Sequence, residues 1–578
     1  MQKADIEDVY QLSPLQQGML FHNLYTSGDD VYVVQFCLTL AGPLDLGALA
    51  AAWDQVLARY PALRSSFHWE KLQAPSQVVH RRVKLPIETH DWRGRPQDLA
   101  GFLAADRARG FDLTRAPLLR LAVLRTGAEE HVLVWTHHHL LLDGWSVALV
   151  VGQVLALYEA SVRGEGIEPE RSRPFRDYIA WLRRQDPAES ERFWRRELAG
   201  FTAPAPLAAR EPLAGRSGFG DRTLRLERSS TAALQAFARE HQLTLNTLVQ
   251  GAWALLLSRH AGEEEVLFGV TVSGRPASLP GVESMVGLFI NTLPLRVPVD
   301  GDTSVAGWLH RLQERQTVLR QHEHSPLFEV QTWSEAPRGT PLFDSLLVFE
   351  NFPTAAERRA GPASVEIRDI RLVETSNYPL TLAVTPGAEL ALRMIYDRAR
   401  FTGAQVRRLQ EHLRMLLREL PASPTRRLSE LAMLDEAERH QLLVEWNDTA
   451  AGLLTVSGVP GVHALFEEWA ERTPEAPAVT CGDRTLSYAA LNREADRLAE
   501  RLRQQGAGPG TLVTLPARRS PDLIAGMLAV LKAGAAYLPL DPALPPERRA
   551  FLLADAGVCL TLPAREDGEG NGESALEG

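Results

Sequence analysis

Residues 136–146 read Thr-His-His-His-Leu-Leu-Leu-Asp-Gly-Trp-Ser, which sets three imidazoles a few positions before a carboxylate and a glycine. An imidazole exchanges a proton near neutral pH more readily than any other side chain, so the first chemistry to consider is general base or acid catalysis. Adjacent histidines also raise metal binding. On an extended segment successive side chains point to opposite faces, so His138 and His139 do not readily share one ion, and the spacing is not that of a zinc site. A pair with one solvated and one buried histidine, each in structural hydrogen bonds, is the plain alternative, and the nearby Asp143-Gly144 weighs against it.

The elements around these residues predict how they are held. His131 to Trp135 has the length and the β-branched and aromatic bias of a buried strand, while Val147 to Tyr158 suits a buried helix. The imidazoles then sit where a strand ends. In α/β architectures that is where a rigid backbone presents reactive side chains to a crevice.

The pattern His138-His139-x-x-x-Asp143-Gly144 resembles the HHxxxDG signature of the condensation domains of nonribosomal peptide synthetases, which share the fold of chloramphenicol acetyltransferase. Segments 12–22, 60–67, 175–181, 268–276, 286–296 and 324–329 resemble the other motifs of that family in the same order. The resemblance covers about residues 5 to 435. It implies an α/β fold of two chloramphenicol acetyltransferase-like lobes forming a V with a central channel.

What the resemblance implies for function is amide-bond formation between a donor acyl or peptidyl thioester and the amino group of an acceptor aminoacyl thioester. No cofactor is then expected to bind directly, because phosphopantetheine arms arrive on donor and acceptor carrier proteins. His139 matches the histidine expected to act as base or to stabilise the tetrahedral intermediate, and Gly144 to offer backbone freedom and an N–H to the oxyanion. His138 and Asp143 are expected to be architectural, with Asp143 pairing with Arg275 from the other lobe. Ser13, Ser273 and Asn291 are expected along the substrate channel, and Trp181, Phe193 and Trp194 in the core.

Along the chain, Leu44 to Tyr60 and Leu99 to Arg109 read as helices, and Pro117 to Leu124 as the strand before the turn at Arg125 to Glu130. In the second lobe, Leu243 to His260 reads as a helix with Thr244 as a cap, and Val305 to Gln321 as another. Strands are predicted at Val266 to Val272, Ser345 to Phe349 and Val365 to Ile370. The domain reading is a first lobe over 1–184, a second over 185–435, a linker over 436–461, a partial adenylation domain over 462–563 and a disordered tail over 564–578, with a helix at Leu431 to Trp446.

Segments 485–492 and 531–541 resemble the first two core motifs of adenylation domains. No Ser/Thr/Gly-rich phosphate loop follows Asp541, so adenylation activity is not expected, and no carrier attachment motif is seen. The upstream carrier is expected in trans.

Composition narrows the partners. A formal charge of −10 argues against nucleic acid or an anionic membrane, and three widely spaced cysteines suit a reducing, cytoplasmic setting. The start, Met1 to Asp8, has no signal-peptide core, and the apolar stretch Leu523 to Leu540 is broken by Lys532 and Pro539. An epimerisation domain would carry a Glu-containing motif where Ser273-Gly274-Arg275 stands, and a heterocyclising relative would have aspartates for the two histidines. A docking platform that binds carriers without catalysis is the remaining alternative.

Overall fold

The strand before the histidines runs further than its β-branched residues predict, from Glu130 to His138, and is the middle strand of a five-stranded sheet. His137 and His138 count as polar in a sequence pattern, yet both are buried and continue the ladder. The computed structural model describes residues 5–25, 32–94, 98–166, 172–202, 207, 213–337, 339–351, 364–449, 461–558 and 560–562. It forms two units, Met1–Glu445 and Trp446–Gly578.

The first unit begins with β1 (Ile6–Gln11), α1 (Pro14–Tyr25), β2 (Val33–Ala41), α2 (Leu46–Arg59), β3 (Ser65–His68), β4 (Ser76–His80) and β5 (Ile87–Asp91). It continues with α3 (Leu99–Ala108), β6 (Leu119–Arg125), β7 (Glu130–His138) and α4 (Gly144–Arg163). Next come α5 (Arg176–Leu182), α6 (Pro187–Glu197), β8 (Phe219–Arg225), α7 (Arg228–Glu240), α8 (Leu245–Ala261), β9 (Glu265–Val272) and β10 (Asn291–Pro298). The rest is α9 (Val305–Arg320), α10 (Leu327–Trp333), β11 (Ser345–Phe349), β12 (Glu366–Val373), β13 (Leu380–Thr385), β14 (Ala391–Asp397), α11 (Gly403–Glu419) and α12 (Glu436–Leu443).

Two large sheets organise this unit, in the orders β12-β2-β7-β6-β5 and β10-β9-β11-β13-β14-β8. The first packs on α2 and α4 over a core that includes Trp53, Trp135 and Leu157, and the second on α8 and α11 around Trp253, Phe268 and Leu413. Strand β12 comes from the second half of the chain but pairs antiparallel with β2, so the second lobe reaches across to extend the first lobe's sheet. Helix α8 is buried nearly all round, and the Thr244 hydroxyl accepts from Thr247 N at 3.1 Å as its cap. Among the described residues only α4 has the length and apolarity to cross a membrane, and half of its apolar stretch is buried within the fold.

The segment expected to be a linker contains α12, which starts at Glu436 because the Asp435 carboxylate caps it by accepting from Glu438 N at 2.7 Å. This shortens the helix expected from Leu431 to Trp446. Residues 450–460 and the expected disordered tail, 564–578, lie outside the described residues.

The second unit contains α13 (Val462–Arg472), β15 (Pro477–Cys481), β16 (Arg484–Ser487), α14 (Tyr488–Gln504), β17 (Leu512–Pro516), α15 (Pro521–Lys532), β18 (Ala536–Leu540), α16 (Pro546–Asp555) and β19 (Leu560–Thr561). The apolar stretch from Leu523 to Leu540 is therefore a helix and a strand, with β18 parallel to β17. Lys532 closes the helix by donating to Glu467, Asn492 and Asp496 at 2.6, 2.7 and 2.6 Å.

Candidate active site

His139 is the first residue beyond β7, and its backbone N–H donates to Tyr32 O at 2.8 Å, so the backbone that bears the ring is tied to the start of β2. Its Nδ1 lies 2.8 Å from the Leu142 carbonyl. A carbonyl only accepts, so Nδ1 carries the proton and the neutral ring keeps its lone pair on Nε2. The half-buried ring lines a cavity of about 430 Å³ together with Tyr32, Asn291, Thr292 and Tyr378. One ring nitrogen is thus occupied in holding the ring and the other is left as a base.

His138 points the other way along the strand alternation and is fully buried. Its Nδ1 accepts from Leu140 N at 3.2 Å, and burial, helped by the neighbouring His139, lowers its pKa to about 3. It is neutral at physiological pH and supports the turn that carries His139.

Asp143 is the N-cap of α4, where its Oδ1 accepts from Ser146 N at 2.7 Å and its Oδ2 from Phe289 N at 3.0 Å. Arg275, just past β9, brings a guanidinium nitrogen to 3.3 Å from Oδ1 and donates to the Ser146 hydroxyl at 2.9 Å. The other terminal nitrogen donates to the carbonyls of Val282 and Met285, and the guanidinium lies 3.9 Å over the Phe289 ring. Burial pulls the Arg275 guanidinium below its ordinary range and the Asp143 charge opposes that. Gly144 opens α4 with ordinary helical backbone, so the expected conformational freedom is not what it supplies. As the first helical residue its N–H has no partner within the helix, and Gly144 lies on the wall of neither the His139 cavity nor the cavity that holds Ser273.

The channel residues separate into three places. Asn291 lines the His139 cavity, and its Nδ2 donates to the carbonyls of Glu323 and Ser325 at 2.9 and 2.7 Å. Ser273 is exposed and lines a second cavity of about 1070 Å³, which shares Thr271 with the first. Ser13 is buried and sits on neither cavity wall: Gln16 Oε1 accepts from its N–H at 2.9 Å while its hydroxyl faces Gln16 N at 3.4 Å, a capping pair for α1. The Ser-Pro-Leu-Gln run from Ser13 to Gln16 is legible as that cap.

Sequence reading misses several residues of the site. Ser146 links Asp143, Arg275 and Gly287, and its only sequence signal is its place three residues after the cap. Tyr378 lines the His139 cavity, as do Glu350 and Glu374, whose carboxyl pKa values burial raises. Phe193 and Trp194 are core residues, while Trp181 is only partly buried and donates to Ser278 Oγ at 3.1 Å.

Taken together, the fold and site define a two-lobed α/β protein built around an HHxxxDG strand end. Residues 6–443 match the condensation domain family and residues 466–576 match the AMP-binding enzyme family. The chain belongs to the condensation-domain family of nonribosomal peptide synthetases, with part of an AMP-binding domain following. It is 46% identical over 573 residues to a linear gramicidin synthase protein of Brevibacillus parabrevis, covering 96% of this chain and 11% of that protein. With bacitracin synthase 3 of Bacillus licheniformis it shares 34% identity over 575 residues, covering 96% of this chain and 9% of that protein. The chain thus spans about a tenth of the length of these curated relatives. Its fold is shared with the crystal structure of the nonribosomal peptide synthetase FmoA3, at a TM-score of 0.70 and 24% identity, covering 97% of this chain and 58% of that one. It is shared also with the first condensation domain of the calcium-dependent antibiotic synthetase bound to a substrate analogue, at a TM-score of 0.62 and 20% identity, covering 75% of this chain and all 100% of that one.

Proposed function

We propose that this chain joins a donor acyl or peptidyl thioester to the amino group of an acceptor aminoacyl thioester, both carried on phosphopantetheine arms of carrier proteins, within nonribosomal peptide synthesis. The observation that carries the reading is the His139 ring, tied at Nδ1 to Leu142 O and set on a cavity wall with Nε2 as its remaining base. In the reaction the acceptor nitrogen attacks the thioester carbonyl, the C–N bond forms, and the nitrogen's proton passes to Nε2. Collapse of the tetrahedral intermediate breaks the C–S bond, and the leaving sulfur takes up the proton held at Nε2, which returns the imidazole to its neutral form.

Alignment of the two tethered substrates contributes the larger part of the rate in this reading. Effective molarities of about 10⁵ to 10⁸ M exceed the factor of about 10² to 10⁴ from a general base. Gly144 N–H at the start of α4 is the donor proposed for the oxyanion, and Asp143, Arg275 and His138 hold the loop that presents His139. A cytoplasmic location belongs to the same reading and rests on three widely separated cysteines.

The test is a single-turnover assay in which donor and acceptor aminoacyl carrier proteins are supplied in trans and peptidyl carrier is followed by intact mass. Product formation is the expected result. A panel of carriers that bind yet give no product would overturn the reading in favour of a docking platform.

A further inference from the structure

One step before the histidines, the first sheet carries a buried polar row that the reaction does not use directly. Gln35 on β2, Thr136 on β7 and Arg120 on β6 stand in register across three adjacent strands, and all three side chains are buried. Asp106, from α3 and 5% exposed, covers the row. Its Oδ2 accepts from Thr136 Oγ1 at 2.6 Å and from Gln35 Nε2 at 2.9 Å, while Oδ1 accepts from Arg120 Nε at 2.7 Å. Gln35 Nε2 also donates to Leu103 O at 3.0 Å, and Arg120 to Gly110 O at 2.9 Å. The Arg120 guanidinium lies 4.4 Å over the Phe111 ring, whose centroid is 6.5 Å from that of His138 in an edge-on contact.

A buried ion pair adds little stability over well-packed apolar residues, so this one calls for another explanation. A hydrogen-bonded polar network specifies a single arrangement where apolar packing tolerates several. In this row the Asp106 carboxylate, the Arg120 guanidinium, the Thr136 hydroxyl and the Gln35 amide nitrogen are all paired, with Gln35 Oε1 alone left without a partner among the described residues. Strand β7 needs such specification, because side chains alternate and a slip of one residue would exchange the faces of His138 and His139. Burial alone would raise the Asp106 carboxyl, but the hydrogen bonds from Arg120 and Thr136 hold it below the usual carboxylate range, so the row keeps its charge.

We infer that Asp106, Arg120, Thr136 and Gln35 form the register lock of the histidine strand, and that Asp106 and Thr136 are positioning residues for amide-bond formation at His139. The inference rests on the proposed function. Thr136→Val removes one hydrogen bond to Asp106 and nearly keeps the side chain's shape. It is expected to lower kcat about 10- to 100-fold, the cost of a misplacement near 1 Å, with the acceptor KM changed less than about twofold. Thr136→Ser, which restores the hydroxyl, is expected to recover most of the rate. The rate of carbethoxylation of His139 by diethyl pyrocarbonate, followed by peptide mass spectrometry, is expected to shift in Thr136→Val and return in Thr136→Ser. A folded Thr136→Val protein with wild-type kcat and wild-type His139 reactivity overturns the inference, as does a loss that serine does not rescue. If Thr136→Val does not fold, Gln35→Met, which removes a different hydrogen bond to the same carboxylate, carries the same expectations. A wild type that forms no product removes the proposed function instead, and His139 reactivity then decides the positioning claim by itself.

Discussion

Asp143 and Arg275 lie 132 positions apart in sequence, yet the guanidinium approaches the carboxylate to 3.3 Å with only 5% of the arginine and 1% of the aspartate side chain exposed. The pair ties the start of α4, directly after the histidine loop, to the segment that follows β9. Removing either partner leaves a buried charge without its counter-ion, which costs about 3 to 5 kcal/mol. Asp143→Ala and Arg275→Ala are therefore each expected to lower the urea midpoint of the first unit, and the double variant to lose less than the sum of the two. Additive losses would show that the pair is not coupled. Loss of the pair is also expected to displace His139, so inactivity of an Asp143 variant would not make Asp143 a proton donor.

Gly274 adopts φ +60°, and a Cβ there would overlap the Phe289 carbonyl oxygen. Backbone cannot swing aside as a side-chain tip can. Gly274→Ala is expected to shift the residues around Arg275 and to lower both the thermal midpoint and the rate. Wild-type thermal stability and rate in the alanine variant would contradict this close approach.

The two buried imidazoles of β7 set an acid limit on stability. Burial, with smaller contributions from the neighbouring imidazoles, lowers His137 and His138 to about 3, whereas an unfolded histidine titrates near about 6.5. Between those values the unfolded chain binds protons that the folded chain does not, so stability falls as pH falls through the window. Each group contributes up to about 1.4 kcal/mol per pH unit there. The urea midpoint of the first unit is expected to decline steadily from about pH 6 to about pH 4, and His137→Gln to flatten that slope by about one proton. A midpoint unchanged between those pH values would refute the assignment of neutral, buried imidazoles.

Much of this architecture is legible in the sequence alone, because its signals are local. Thr244 precedes an apolar helix and caps it, and the β-branched run of β9 forms the strand it predicts. What escapes the sequence is long-range. The pairing of β12 with β2 joins residues more than three hundred positions apart, and no periodicity announces it. His137 and His138 extend β7 because tertiary burial overrides their polarity, and Asp106 is an ordinary helical aspartate until Arg120, Thr136 and Gln35 converge on it. The motif groups His139, Asp143 and Arg275, whereas Ser13 pairs with Gln16 at the start of α1, a contact that the local Ser-Pro-Leu-Gln capping signal announces.

The most direct measurement compares wild type with His139→Ala in single-turnover peptide formation, both carriers preloaded and at saturating concentration. The expected result is a rate lower by about 10² to 10⁴, with acceptor binding retained and a residue of activity left by alignment. A His139→Ala rate within about twofold of wild type would contradict it, because the base on the cavity wall would then take no part in forming the bond.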